Sequence, residues 1–159
     1  MSFLDMDERL LKLAELIDIV YSPIVDAKVF PENVDLTIVE GAVSNEDDLH
    51  KIKLVRSRTK LLMALGDCAV TSNVPGMRNQ VGREAACKRA YFELATAQPQ
   101  IPGLVISSLV KTVQPIHTEI KVDVFVPGCP PSAERIYFVL AELLAGRMPK
   151  LEGDQVTFG

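Results

Sequence analysis

The stretch Val122-Asp-Val-Phe-Val-Pro-Gly-Cys-Pro-Pro131 constrains this chain more than any other. A short apolar strand runs into a turn in which three prolines and a glycine surround one cysteine, and a helix-forming run follows at once. Pro127, Pro130 and Pro131 each hold φ at about −65°, and Gly128 supplies the permissive joint beside the thiol. So stiff a turn sets the height and direction of Cys129 at the carboxyl end of a strand. A chain that needed only to reverse direction would not need a thiol so firmly held, which makes Cys129 a candidate ligand.

The surrounding pattern is that of an α/β domain. Leu-Leu-Met-Ala-Leu at 61–65 is apolar on both faces, as expected of a central parallel strand covered by helices on both sides. Alternation predicts a strand over 34–39, the last strand falls at 120–126, and Ile-Val-Tyr-Ser-Pro at 19–23 reads as a brief strand ended by proline. Phe3, Met6, Leu10, Leu13 and Ile17 form one apolar stripe, which predicts a helix over 1–17 that begins with nothing before it to dock against. Ser44 is placed as the cap of a helix opened by the carboxylates of 46–48, and 83–94 reads as a further helix. Residues 71–82 read as loop with one helical turn, and 104–113 as a short helix under a loop rather than a strand. Ser132 caps the final helix, whose stripe is Ile136, Val139, Leu140, Leu143 and Leu144. The reading is one domain over 1–147, a mainly parallel sheet with helices on both faces, and a loosely held tail over 148–159.

Composition excludes more than it assigns. A net charge of −4 with no basic cluster argues against nucleic acid as a partner. No apolar run approaches the ~20 residues of a membrane span. The acidic start Met-Ser-Phe-Leu-Asp-Met-Asp-Glu lacks a signal-peptide pattern, so the chain reads as cytoplasmic. Three cysteines in such a chain disfavour a disulfide framework and point to structural thiols or a metal site.

Three predicted strands end in glycine-containing turns: Glu40-Gly-Ala, Gly66-Asp-Cys-Ala and Pro127-Gly-Cys-Pro-Pro. Right-handed crossovers bring such turns to one edge of a parallel sheet, the edge at which ligands bind. Cys68 and Cys129, 61 residues apart, therefore face one crevice, although a free cysteine also packs well as a small hydrophobe. Cys87, mid-helix, reads as structural. His50 reads as solvated and His117 as a structural histidine or a third ligand. Glu40 is either a proton relay at that crevice or a carboxylate bonded to its own turn. There is no Cys-x-x-Cys pair, no Ser-His-Asp order and no phosphate-binding loop, and two thiolates alone complete neither a zinc site nor a cubane cluster.

Taken together, Val-Glu-Gly-Ala-Val at 39–43, Gly-Asp-Cys-Ala-Val-Thr at 66–71, Asn-Val-Pro-Gly-Met-Arg-Asn at 73–79 and Val-Pro-Gly-Cys-Pro-Pro at 126–131 resemble the small subunit of nickel–iron hydrogenases. The likeness runs over nearly the whole chain, is strongest to the cytoplasmic NAD(P)-reducing type, and extends to the complex I subunit that carries the last cluster before quinone. It implies a flavodoxin-like domain holding one [4Fe–4S] cluster beside the Ni–Fe site of a separate large subunit, with electrons passing on to a diaphorase that reduces NAD(P)⁺. Cys68 and Cys129 would be two of four cluster ligands, with Gly66, Asp67, Thr71, Gly128 and Pro130 around the cofactor. The family's other two ligands form a Cys-x-x-Cys turn after the first central strand, just ahead of the Met-Ser-Phe-Leu-Asp that opens this sequence, so the sheet is expected to lack that strand. Two alternatives stand beside this reading: a cluster-bearing subunit of a complex I-like quinone oxidoreductase, and a clusterless flavodoxin-like interaction module. FMN, a further possibility in this fold, has no support in these residues.

Overall fold

A computed structural model describes residues 2–22 and 26–158. Its frame is a three-stranded parallel sheet in the order β1 (Val34–Glu40), β3 (Thr59–Leu65), β5 (Val124–Val126), with β3 in the centre. Between β1 and β3 in the chain lie β2 (Val43–Asn45) and α2 (Glu46–Arg58). Residues of β3 alternate between two cores, as a strand's period of two requires. Met63 and Leu65 join Met6, Leu13, Val124, Val126, Ile136, Val139 and Leu140, beneath α1 (Glu8–Ala14) and α7 (Ala133–Leu144). Leu62 and Ala64 join Phe30, Val43, Ile52, Val55, Ala69 and Ile116, beneath α2. The expected α/β fold, with a mainly parallel sheet covered on both faces, is what the chain forms.

Several boundaries differ from the sequence reading, each for a local reason. The first helical stretch is a 3-10 turn at Leu4–Met6 and then α1, broken at Asp7 where φ is 52°. Met6 and Leu13 are buried as the stripe predicts, whereas Ile17 is exposed. The cap of α2 is Asn45, not Ser44. Asn45 Oδ1 accepts from the Asp48 N–H at 2.8 Å, and the Asp48 carboxylate accepts in turn from the Asn45 N–H at 3.2 Å, a reciprocal capping box. Ser44 instead donates its hydroxyl to Asp48. Ile19 to Ser22 form no strand, and Pro23 lies outside the described residues. Residues 67–81 hold three short helices, α3 (Asp67–Thr71), α4 (Asn73–Gly76) and α5 (Arg78–Val81), more helix than one turn. α6 (Arg83–Lys88) continues as a π-helical turn over Arg89–Glu93.

The stretch 104–113 is not a helix: Leu109–Gln114 is strand β4, antiparallel to β2. Side chains rather than a second strand satisfy its other edge. The Asn79 amide pairs with both backbone groups of Val113 at 2.8 and 2.9 Å and Arg83 donates to the Leu109 carbonyl, while Arg78 bridges the two strands through the carbonyls of Val110 and Ser44. The last strand is shorter than 120–126, because Asp123 bonds to β3 through its side chain as well as its backbone. The predicted Ser132 cap of α7 is present, accepting from the Arg135 N–H at 3.2 Å. In the tail, Leu151 packs on the α1–α7 core and Gly153–Val156 forms a 3-10 turn.

Candidate functional site

β1, β3 and β5 run parallel and in step, with Glu40 opposite Leu65 and Leu65 opposite Val126, so their carboxyl ends lie at one edge. The turns that follow β3 and β5 continue the pairing beyond the strands. The Gly66 N–H donates to the Val126 carbonyl at 2.8 Å, and the Asp67 N–H donates to the Gly128 carbonyl at 3.0 Å. The Gly128 N–H then donates to Asp67 Oδ1 at 2.6 Å. Asp67 is 3% exposed, so this carboxylate is a buried clasp between two chain segments 61 residues apart.

Two glycines permit the approach. Gly66 sits at φ 83°, and a Cβ there would stand 3.5 Å from the Gly128 carbonyl oxygen. Gly128 is the tighter case: at φ 134°, a Cβ would lie 2.6 Å from Pro131 Cα. Around this clasp Pro127 and Pro131 are buried, while Cys129 and Pro130 are exposed. Cys68, on the first turn of α3, is half-buried. The two cysteines therefore stand on adjacent turns at one sheet edge.

The other sequence candidates fall in different places. Glu40 is exposed at the end of β1, on the same edge. Thr71 spends its hydroxyl on its own helix, donating to the Asp67 carbonyl at 2.8 Å. Cys87 is buried in α6 and His50 is exposed on α2. His117 sets its ring edge against Phe125, with centroids 5.7 Å apart. Among the described residues, no three His, Cys, Asp or Glu side chains form a group that could hold a metal ion.

Arg135 is a site neighbour that the sequence reading missed. From the first turn of α7 it donates to the Pro127 carbonyl at 2.5 Å and to the carbonyls of Asp154 and Thr157 at 2.7 and 3.2 Å, binding the cysteine turn to the carboxyl-terminal turn. Its place three residues after a helix cap was the only available signal. At the opposite end of β5, burial pushes the Asp123 carboxyl up, but the Leu62 N–H and the Arg56 guanidinium outweigh it and hold the group below the usual carboxylate range.

Comparison with known proteins agrees with this architecture. The chain is 39% identical to the delta subunit of the NAD-reducing hydrogenase HoxS of Cupriavidus necator over 152 residues, which cover 92% of this chain and 73% of that one. It is 38% identical to a subunit of the vhu F420-non-reducing hydrogenase of Methanocaldococcus jannaschii, and that match covers 94% of this chain and 53% of the relative. The chain thus spans about half the length of that archaeal relative. Among solved structures, a chain of an NAD⁺-reducing [NiFe]-hydrogenase in the H₂-reduced state superposes with a TM-score of 0.93 at 34% identity, over 100% of this chain and 90% of that one. The resemblance to nickel–iron hydrogenase subunits carried by the motifs is therefore found across the whole chain. Residues 1–143 match the family described as NADH ubiquinone oxidoreductase, 20 Kd subunit, and the chain belongs to that family.

Proposed function

We propose that this chain is the electron-transfer subunit of an NAD-reducing nickel–iron hydrogenase, and that Cys68 and Cys129 ligate a [4Fe–4S] cluster beside the Ni–Fe centre of a separate large subunit. The observation that carries the reading is the pair of accessible thiols on two turns stitched together at one edge of a parallel sheet. The similarity to subunits of NAD-reducing and F420-non-reducing hydrogenases supports the reaction.

The donor set suits half of such a cluster. A [4Fe–4S] centre takes four thiolates, and the two here sit on turns joined to each other, with no carboxylate or imidazole group to complete a mixed site among the described residues. The remaining two thiolates come, in this reading, from a Cys-x-x-Cys turn, a pattern absent from residues 1–159. When bound, the cluster supplies one-electron transfer. This chain's residues position it: Gly66 and Gly128 let the turns close, Asp67 clasps them, and buried Pro127 and Pro131 keep water from behind the thiols. Glu40, exposed on the same edge, would pass protons between the large subunit and solvent. Residues 1–147 then act as one iron–sulfur domain, 148–159 as its carboxyl-terminal extension, and the diaphorase subunits receive the electrons. No helix among the described residues is long and apolar enough to cross a membrane.

Iron and acid-labile sulfide, measured on the protein produced together with its hydrogenase partner subunits, test the reading. Both are expected in the purified complex, and Cys129→Ala is expected to abolish the cluster in this subunit. Full cluster content in Cys129→Ala overturns the assignment. The match to the 20 Kd subunit family favours one second reading, a cluster-bearing subunit of a complex I-like quinone oxidoreductase. Nickel in the co-purifying partner supports the first reading, and a nickel-free partner that reduces quinone supports the second.

A further inference from the structure

We propose that Asp67 is the positioning residue that carries the register of the sheet beyond its last rung and so sets Cys68 opposite Cys129. The inference rests on the cluster reading above for its consequence, but its geometry stands on this chain alone. β5 has three residues, paired Met63 with Val124, Ala64 with Phe125 and Leu65 with Val126, an offset of 61. The ladder stops there. The same offset of 61 reappears in the bond from the Gly128 N–H to Asp67 Oδ1. Cys68 and Cys129 directly follow Asp67 and Gly128 in the two turns.

Without the carboxylate, only two backbone bonds would join the two turns, and each turn carries a glycine that widens the conformations open to it. Asp67 holds them at both levels. Its N–H donates to the Gly128 carbonyl, and its carboxylate accepts from the Gly128 N–H, so Gly128 has both backbone groups bound by one residue. Thr71 secures the Asp67 carbonyl in turn. Groups that orient metal ligands through hydrogen bonds typically change metal affinity or activity 10- to 100-fold when removed. Charge and hydrogen bonding close to a cluster also set its reduction potential.

The clasp predicts different results for two substitutions, made in the complex with its partner subunits. Asp67→Asn keeps an acceptor for the Gly128 N–H and is expected to keep the full iron and sulfide content and the g-values of the reduced centre. Asp67→Ala removes the acceptor and is expected to lose most of the iron. Asp67→Ala with full iron, or Asp67→Asn that loses most of its iron, overturns the proposal. Should Asp67→Ala not fold, Asp67→Asn decides: retained iron supports the clasp and lost iron overturns it. A readout independent of the cluster separates this proposal from the cluster assignment: capture of neighbouring thiols by phenylarsine oxide in the iron-free protein, with Cys87→Ala as background. One arsenical bridging Cys68 and Cys129 in the parent, and a several-fold loss of bridging in Asp67→Ala, support the clasp even if iron is never found. Absence of bridging in the parent, or equal bridging in both proteins, overturns it.

Discussion

Gly128→Ala is the sharpest perturbation that the site offers. A methyl carbon at this position would stand 2.6 Å from Pro131 Cα, 2.8 Å from Pro131 N and 3.1 Å from the Pro130 carbonyl carbon. Ordinary carbon–carbon contact is about 3.5–4.0 Å, so the overlap is roughly 1 Å. It falls on backbone, which no side-chain rotation can relieve. The backbone angle adds to this, since φ of 134° is one that side-chain-bearing residues rarely adopt. Overpacking costs about 1–3 kcal/mol and an unfavourable backbone conformation a further ~1–3 kcal/mol, so a total of about 2–6 kcal/mol is expected. At about 2–4 °C per kcal/mol for a chain of this size, the melting temperature should fall by roughly 10 °C. Two other glycines act as controls. Gly66→Ala has a nearest contact of 3.5 Å, and Gly41→Ala at φ 80° has nothing within 4 Å. Each therefore meets only the backbone cost, about 1–3 kcal/mol, without the overlap. Calorimetry or urea titration of the three variants orders them. If Gly128→Ala melts within a degree or two of Gly41→Ala, the close packing of the cysteine turn is refuted.

Three further outcomes follow from single contacts. Asp123, 11% exposed, has its carboxyl held low in the folded state, so the unfolded chain binds more protons in acid. Its contribution to stability is complete above the ordinary carboxylate range and lost as pH falls through and below it. Urea midpoints measured against pH should show an acid loss that Asp123→Asn flattens. Asn45→Ala, which removes the capping box of α2, should cost about 1 kcal/mol in the same titration, while Ser44→Ala costs less because it keeps the cap. Arg135→Ala should speed protease cleavage within residues 152–158 without altering cleavage elsewhere, since this one guanidinium binds two carbonyls of that segment.

The parts of the fold legible in the sequence are those specified by neighbours along the chain. The double-faced apolarity of 61–65, the stripe of α7 and the Ser132 cap each depend on residues within a few positions, and each is found where the pattern puts it, except that Leu144, at the end of the α7 stripe, is exposed. β4 was not legible for the opposite reason. Apolar Val110 and Val113 stand three apart, a helical spacing, and the strand is decided by Asn79 and two arginines that arrive from more than twenty residues away. The cap at Asn45 rather than Ser44 turned on which of two capable residues faces the Asp48 N–H, a choice of helix phase that composition does not fix. At the candidate site the turns and their shared edge were readable from Gly66, Cys68, Gly128 and Cys129. The Asp67 clasp was not, because nothing local distinguishes it from any aspartate opening a helix.

That clasp has a counterpart at the other end of the same strand pair. The Asp123 N–H donates to the Leu62 carbonyl while its carboxylate accepts from the Leu62 N–H, both at 2.9 Å. Asp67 makes the same two-way arrangement with Gly128. A three-residue strand needs such help. β5 has few ladder bonds with which to resist a slip, and a slip of one residue would turn Val124 and Val126 out of the core and move Cys129 by about 3.3 Å along the strand. For Cys129 in its proposed role as a cluster ligand, a displacement of that size would far exceed the ~0.2 Å tolerance of metal–ligand bonds. The two aspartates bracket β5 so that its hydrophobic register and the height of its cysteine are fixed together. The shortness of the strand then ceases to be a weakness, because the register is held by carboxylate bonds at both ends rather than by length.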